Sequence, residues 1–208
     1  AGLKVGVIEA GRVVRGATGH TTAKITSQHG LIYDRLVEQF GRERAQQYAA
    51  ANQAAIEQIA DQVHQRDIAC DFERKPAYVF AESEEDREAV QREANAARGL
   101  GLPASFVEDV PLPFETEGAV RFDDQAQFHP RKYLCALARE IPGDGSAIFE
   151  ETRAIAIRDG EPVTVETERG TVQATDVIQA THFPFHDQPG QYFRRMHQSR
   201  SYVLGVRI

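Results

Sequence analysis

The chain opens on the apolar run Lys4-Val5-Gly6-Val7-Ile8, closed at once by Glu9, Ala10 and Gly11. Five residues are too few for a helix, and an acid followed by glycine stops the run, so the pattern predicts a short strand. Both faces of the run are apolar, as in a central parallel strand covered by helices. The strand has almost no lead-in, which predicts that further sequence of the same protein precedes Ala1. The whole chain has 208 residues, enough for one large domain or two small ones. A core of that size needs no metal or disulfide staple. Lys and Arg number 24 against 31 Asp and Glu, a net charge of −7. This argues against nucleic acid as a partner, because nonspecific binding rests on neutralising phosphates. An anionic cofactor stays compatible, since backbone N–H groups hold phosphates without net positive charge.

The two cysteines, Cys70 and Cys135, form no CxxC and read as buried small hydrophobes. No apolar run approaches the ~20 residues that span a bilayer, and the N-terminus lacks signal-peptide order. The expectation is a soluble cytoplasmic protein with no membrane partner.

The acid at the strand's end carries the chemistry. In dinucleotide-binding folds the second strand ends in Asp or Glu, whose carboxylate accepts hydrogen bonds from a ribose hydroxyl. Glu9 is placed like that acid; the alternative is a solvated strand-end carboxylate. The G-x-G-x-x-G turn is absent. Gly11 to Thr18 has the glycine spacing of a P-loop, but Ala17 stands where the phosphate-binding Lys belongs, which disfavours a nucleotide module on this loop. Residues 11–30 form a polar stretch with Thr18, His20, Thr21, Thr22, Thr26, Ser27 and His29. It reads as a loop without regular structure, either functional or disordered. Its hydroxyls and amides suit pyrophosphate and ribityl oxygens.

Glu9-Ala10-Gly11-Arg12 and Gly16-Ala17-Thr18-Gly19-His20-Thr21-Thr22-Ala23-Lys24 resemble the flavin-contacting segment of the D-amino-acid oxidase/glycine oxidase family. The resemblance is to the branch of FAD-dependent oxidoreductases that often carries a C-terminal Rieske domain. Thr26-Ser27-Gln28-His29-Gly30-Leu31-Ile32-Tyr33-Asp34, Asp124-Gln125-Ala126-Gln127-Phe128-His129-Pro130-Arg131-Lys132-Tyr133 and Val177-Ile178-Gln179-Ala180-Thr181-His182 extend it along the chain. It implies an α/β fold: a partial FAD/NAD(P)-binding Rossmann-like domain, parallel sheet plus β-meander, with an inserted α+β substrate domain. The implied division is 1–70 and 129–182 for FAD binding, 71–128 for the substrate domain and 183–208 for a return to it. The family's strand–GxGxxG–helix and its C-terminal half have no counterpart here, so the chain reads as an internal fragment. The cofactor contacts implied are Glu9, Ala10, Gly11, Arg12, Thr18, Thr21, Thr22, Ala23, Lys24, Ala154, Ala180 and Thr181. His182 stands where the family has glycine, and a positive φ there would cost more with histidine. A Rieske 2Fe-2S cluster in the intact protein is compatible with the resemblance and has no ligands in this chain. No residue stands out as an acid or base; Lys24, His29 and His129 are the polar candidates, with Gln127 beside the last. The plain alternatives are a solvent-facing Lys24 and a locally bonded polar turn at 127–129.

The remaining pattern predicts helices over 34–41 and 42–67, the second with a small-residue stripe. A strand over 76–81 precedes a helix capped by Ser83 and ended by Gly99, Gly101 and Pro103. Strands follow over 102–108 and 118–122, then a helix opened by Pro130. A short strand over 147–149 precedes a meander of strands over 153–157, 163–167 and 170–174, and 176–180 reads as a buried strand. Residues 183–195 form an aromatic-basic segment, read as packing or partner-domain contact, and 201–207 alternates like a strand. Two functions compete. The first is a flavoenzyme that oxidises the C–N bond of a small-molecule amine or amino acid with FAD as hydride acceptor, passing electrons to oxygen or another acceptor. The second is a non-catalytic folded fragment without cofactor, paired as a homodimer through an exposed sheet edge.

Overall fold

A computed structural model describes residues 2–187, 190–199, 202, 204 and 206. The chain divides into two compact units, Ala1–Val13 with Glu140–Ile208, and Val14–Arg139.

The first unit begins with β1 (Gly6–Ile8). The second holds β2 (Lys24–Ile25), α1 (Tyr33–Phe40), α2 (Arg42–Gln65), β3 (Glu73–Arg74), β4 (Ala77–Phe80), α3 (Glu84–Gly99), β5 (Ala104–Val107), β6 (Ala119–Phe122), β7 (Ala126–Gln127) and α4 (Pro130–Arg139). The chain then returns to the first unit for β8 (Ala147–Phe149), β9 (Ala154–Arg158), β10 (Val163–Thr167) and β11 (Gly170–Ala174).

In the second unit β4, β6 and β5 form an antiparallel sheet with β6 central. Val120 and Phe122 of β6 are fully buried, against Val90, Ala94 and Ala97 of α3 and Ala45 and Ala49 of α2. Burying a side chain the size of Phe122 contributes about 1.5–3 kcal/mol. The alanines recur at three- and four-residue steps, so α2 and α3 present shallow faces that allow close approach. The Ser83 hydroxyl accepts from Asp86 N at 3.2 Å, and Glu84, Glu85 and Asp86 lie in the first turn, where the helix dipole favours them.

The start of α1 is capped from a distance. Its N-cap, Ile32, has no side chain to offer. Glu93 of α3, 1% exposed, instead accepts from Ile32 N and Tyr33 N at 2.9 Å and from Asp34 N at 3.0 Å. One buried carboxylate thus satisfies three of the N–H groups that a helix start leaves open. Tyr33, fully buried and stacked on Phe122, donates its hydroxyl to Ser27 O at 2.6 Å.

The loop expected over 11–30 has regular structure after all. A 3-10 turn covers Ala17–His20, and β2 pairs antiparallel with β7, which pairs in turn with β3. These two-residue strands lack the apolar alternation by which strands are read; backbone pairing alone defines them. In the first unit β1 runs parallel to β8, Gly6 opposite Ala147 and Ile8 opposite Phe149. It starts two residues later than expected, although Ala147 N still donates to Val5 O at 2.9 Å. Val7 and Ile8 are only half-buried and Gly6 is exposed, so the unit by itself does not cover both faces. The meander β9–β10–β11 is antiparallel throughout.

The buried strand expected over 176–180 is not formed. Ile178 is 90% exposed, and among the described residues nothing pairs with this segment. An extended segment without a ladder neighbour has unmet N–H and C=O groups and stays in water. The strand expected over 201–207 falls, at Ser201, Val203, Gly205 and Arg207, outside the described residues. Tyr192–Arg195 is an exposed 3-10 turn. Cys70 is buried and Cys135 half-buried, both as free thiols. Among the described residues no helix is long and apolar enough to cross a membrane.

Removing the distant cap should be costly. Glu93→Ala is expected to lower unfolding free energy by about 2–4 kcal/mol in urea titrations; a loss below about 0.5 kcal/mol, within the ordinary range for surface substitutions, contradicts the capping account. Tyr33 gives a pH test. Burial raises its hydroxyl pKa above the phenol range, and Tyr48 and Glu93 raise it further. The unfolded phenol ionises near pH ~10. Stability from this group is therefore intact below that pH and is lost as pH rises beyond it. Tyr33→Phe should cost about 1 kcal/mol at neutral pH yet flatten the alkaline limb of the stability profile; an unchanged alkaline slope contradicts the assignment.

Candidate functional site

In the first unit Glu9 closes β1. Its Oε1 accepts from Gly11 N at 2.7 Å, which bends the carboxylate over the turn that follows the strand. Its second oxygen has no hydrogen-bond partner among the described residues and is free to accept. Two backbone bonds fix the turn: Thr152 N donates to Glu9 O at 2.9 Å, and Glu151 N to Gly11 O at 2.6 Å. Val13 N donates to Glu150 Oε1 at 2.7 Å, and Arg12 pairs with Glu151 at 3.3 Å. A half-exposed acid at the carboxyl end of a parallel strand, with one oxygen spare, fits the ribose end of a dinucleotide. Ala10, Gly11 and Arg12 share its exposed turn. Ala154 opens β9 opposite Thr167. Ala180 and Thr181 are exposed, and Thr181 Oγ1 donates to Phe183 O at 2.8 Å. His182 adopts φ +66°, so the strain anticipated for a non-glycine residue is present there.

In the second unit Thr18 lies in the 3-10 turn. Gly19 in the same turn has no room for a Cβ, which would collide with the Val14 carbonyl. Thr21 Oγ1 accepts from Ala23 N at 2.9 Å and holds Ala23 at φ +65°. Thr22 is exposed beside it. Lys24 then enters β2 opposite Gln127, which lies opposite Glu73 of β3. The three side chains therefore form a polar row on one face of the small sheet. Gln127 Nε2 donates to Glu73 Oε2 at 3.0 Å, and Lys75 pairs with Glu73 at 2.7 Å.

Lys24, Thr26, Gln28, Lys75, Tyr78 and Gln127 line a cleft of about 210 Å³. Of its two cations, Lys75 is matched by Glu73, whereas Lys24 has no carboxylate within ion-pair distance among the described residues. The other two catalytic candidates do not line the cleft. His29 is exposed, contacts Asn52 Oδ1 at 3.2 Å and packs edge-on to Tyr48. His129 caps α4: its carbonyl accepts from Tyr133 N at 3.1 Å, and its Nδ1 lies 3.4 Å from Lys132 N. Lys75 and Tyr78 are cleft residues that sequence reading missed, because nothing in their spacing marks them; the fold alone brings them to the cleft that Lys24 also lines. Among the described residues no group of three or more His, Cys, Asp or Glu could hold a metal ion.

The chain matches, over residues 1–207, the family described as FAD dependent oxidoreductase (DAO). It is 39% identical over 207 residues to YhfW of Bacillus subtilis (strain 168), named as a Rieske 2Fe-2S iron-sulfur protein, covering 99% of this chain and 41% of that protein. It is 25% identical over 186 residues to gamma-glutamylputrescine oxidoreductase of Escherichia coli (strain K12), covering 86% of this chain and 43% of the relative. The chain thus spans less than half the length of these relatives. Among solved structures, glycine oxidase from Geobacillus kaustophilus superposes with a TM-score of 0.64 at 22% identity, covering 83% of this chain and 47% of that one. L-amino acid deaminase from Proteus myxofaciens, in complex with anthranilate, gives 0.64 at 14% identity, covering 84% and 39%. Both likenesses show the FAD-binding α/β fold.

The Lys75 and Gln127 hydrogen bonds hold the Glu73 carboxyl below the usual carboxylate range, Lys75 contributing most. Its stabilising effect is present above the unfolded pKa of about 4.3 and is lost as pH falls through the lower folded value. Lys75→Met should raise the Glu73 midpoint toward that ordinary value in an NMR titration; an unmoved midpoint contradicts the pairing.

Proposed function

Because the chain belongs to the FAD dependent oxidoreductase family, we propose that the intact protein oxidises the C–N bond of an amino acid, its carboxylate seated at Lys24. When bound, FAD supplies the chemistry by accepting a hydride from the carbon that bears nitrogen. Glu9 would hold the adenosine ribose through its spare oxygen, with Ala10, Gly11 and Arg12 in the same turn. Ala154, Ala180 and Thr181 are the first unit's further contacts. In the second unit Thr18, Thr21, Thr22 and Ala23 offer hydroxyls and amides to pyrophosphate and ribityl oxygens. A Rieske 2Fe-2S cluster elsewhere in the intact protein is the proposed acceptor of the electrons, a reading supported by the name of YhfW.

The observation that carries the choice of substrate is Lys24, an exposed lysine of the cleft lining with no carboxylate within ion-pair distance among the described residues. An ammonium without a counter-charge favours a carboxylate, because charge-assisted hydrogen bonds are about twice as strong as neutral ones. A plain amine, cationic at neutral pH, meets Lys24 as a like charge. Gln127, Thr26 and Tyr78 add neutral hydrogen-bonding groups around the same recess. His29 and His129, outside the lining, are left without a catalytic role.

The purified full-length protein is expected to be yellow, absorbing near roughly 450 nm. A colourless dimer would favour the non-catalytic alternative. Glu9→Ala should weaken FAD retention by roughly tenfold to a hundredfold, the worth of a hydrogen bond to a charged group. Lys24→Met should raise KM for amino acids by a similar factor while leaving oxidation of simple primary amines unchanged or faster. Equal effects on both substrate classes contradict the carboxylate assignment.

A further inference from the structure

Gln125 is 1% exposed, and every polar atom of its side chain is engaged. Oε1 accepts from Ser27 N at 2.7 Å and from Thr26 Oγ1 at 3.0 Å, with Ser27 Oγ at 3.2 Å. Nε2 donates to Asp123 O at 2.8 Å and lies 3.4 Å from Gln53 Oε1 of α2. The main-chain carbonyl accepts from Lys75 N at 3.0 Å. One residue therefore ties the chain down on two sides of the cleft, just beyond Lys24 and at Lys75 itself. Neither bordering strand can do this alone: β2 and β3 are two residues long, and each pairs only with β7. The preceding Asp124 sits at φ +57°, in the turn that leads into Gln125.

We infer that Gln125 is a positioning residue for this cleft: its side-chain amide sets the backbone just beyond Lys24, its main-chain carbonyl holds Lys75, and hydrogen bonding by the side chain rather than its bulk is what the Lys24 side of the cleft requires. The inference rests on reading the cleft as a carboxylate site. An apolar side chain of similar length would fill the space yet leave the buried Ser27 N–H without an acceptor, so the β2 end would shift to find one. Glutamate keeps an acceptor oxygen for Ser27 N and Thr26 Oγ1 and, protonated in this buried site, donates to Asp123 O from the other oxygen as Nε2 does. Gln53 Oε1, in contrast, meets only side chains, accepting from Ser27 Oγ at 3.2 Å and lying 3.4 Å from Gln125 Nε2, so the Ser27 N–H keeps its Gln125 acceptor without it.

The test uses the FAD-loaded full-length protein and benzoate as a plain carboxylate probe, with affinity read from the change in flavin absorbance. Gln125→Met is expected to weaken benzoate binding by roughly tenfold or more at unchanged FAD content, the scale of one buried hydrogen bond lost. Gln125→Glu should recover most of that loss. Gln53→Met should lower the thermal midpoint without moving the benzoate affinity. If Gln125→Met does not accumulate, Gln125→Asn, which retracts the same amide by one methylene, is read in its place. Wild-type affinity in Gln125→Met beside a weakened Lys24→Met overturns this inference alone, as does equal weakening in all the Gln125 and Gln53 variants. Unchanged affinity in Lys24→Met overturns the carboxylate reading and this inference with it.

Discussion

The segment from Thr26 to Asp34 enters the core of the second unit at Ser27 and Gln28 and again at Tyr33, surfacing over 29–31 between, and it can do so only because buried side chains take up the polar groups of the buried stretches. Gln125 accepts from Ser27 N, Tyr33 donates to Ser27 O, and Glu93 accepts from three successive N–H groups at the start of α1. Gln28 Nε2 reaches Val120 O at 3.4 Å. Among the described residues no buried side-chain nitrogen or oxygen lacks a partner. An unpaired group in this position would cost about 1–3 kcal/mol, so the arrangement holds together as a set. The apolar layer follows from it: Tyr33 stacks on Phe122 only because its hydroxyl has somewhere to go.

The same segment leads from the structural core to the candidate cleft. Thr26 and Gln28 line the recess, while Ser27, between them, points into the network. Along 24–28, Lys24, Thr26 and Gln28 line the recess while Ile25 and Ser27 are buried behind it. The small sheet β2–β7–β3 adds a row of Lys24, Gln127 and Glu73, and pairing Glu73 with Lys75 leaves Lys24 as the cation without a counter-charge.

Much of this was legible in the chain. Ser83 with its three acids marked the start of α3, and Pro130 marked α4, because caps and helix starts act locally. The alanine stripe gave α2, and the turn residues gave the meander. The short strands β2, β3 and β7 were not legible, since two residues carry no period and their pairing is non-local. The 176–180 run was apolar enough to read as a strand, yet Ile178 lies in water, because apolar sequence cannot supply a neighbouring strand. At the site, Glu9 and Lys24 stood out by position and resemblance, whereas Lys75, Tyr78 and Gln125 matter through partners distant in the chain, Gln125 for Lys75, Arg121 for Tyr78 and Ser27 for Gln125. Glu93 gave no signal at all: a glutamate on a charged helix reads as solvated until its three donors are seen.

The proposed role of the cleft turns on what Lys24 holds. The most direct measurement is a crystal structure of the FAD-loaded full-length protein with an amino acid or simple carboxylate bound. It should place a carboxylate oxygen within about 3 Å of Lys24 Nζ, the range of charge-assisted hydrogen bonds. A ligand whose carboxylate is held elsewhere, with the Lys24 ammonium left in solvent, would contradict it.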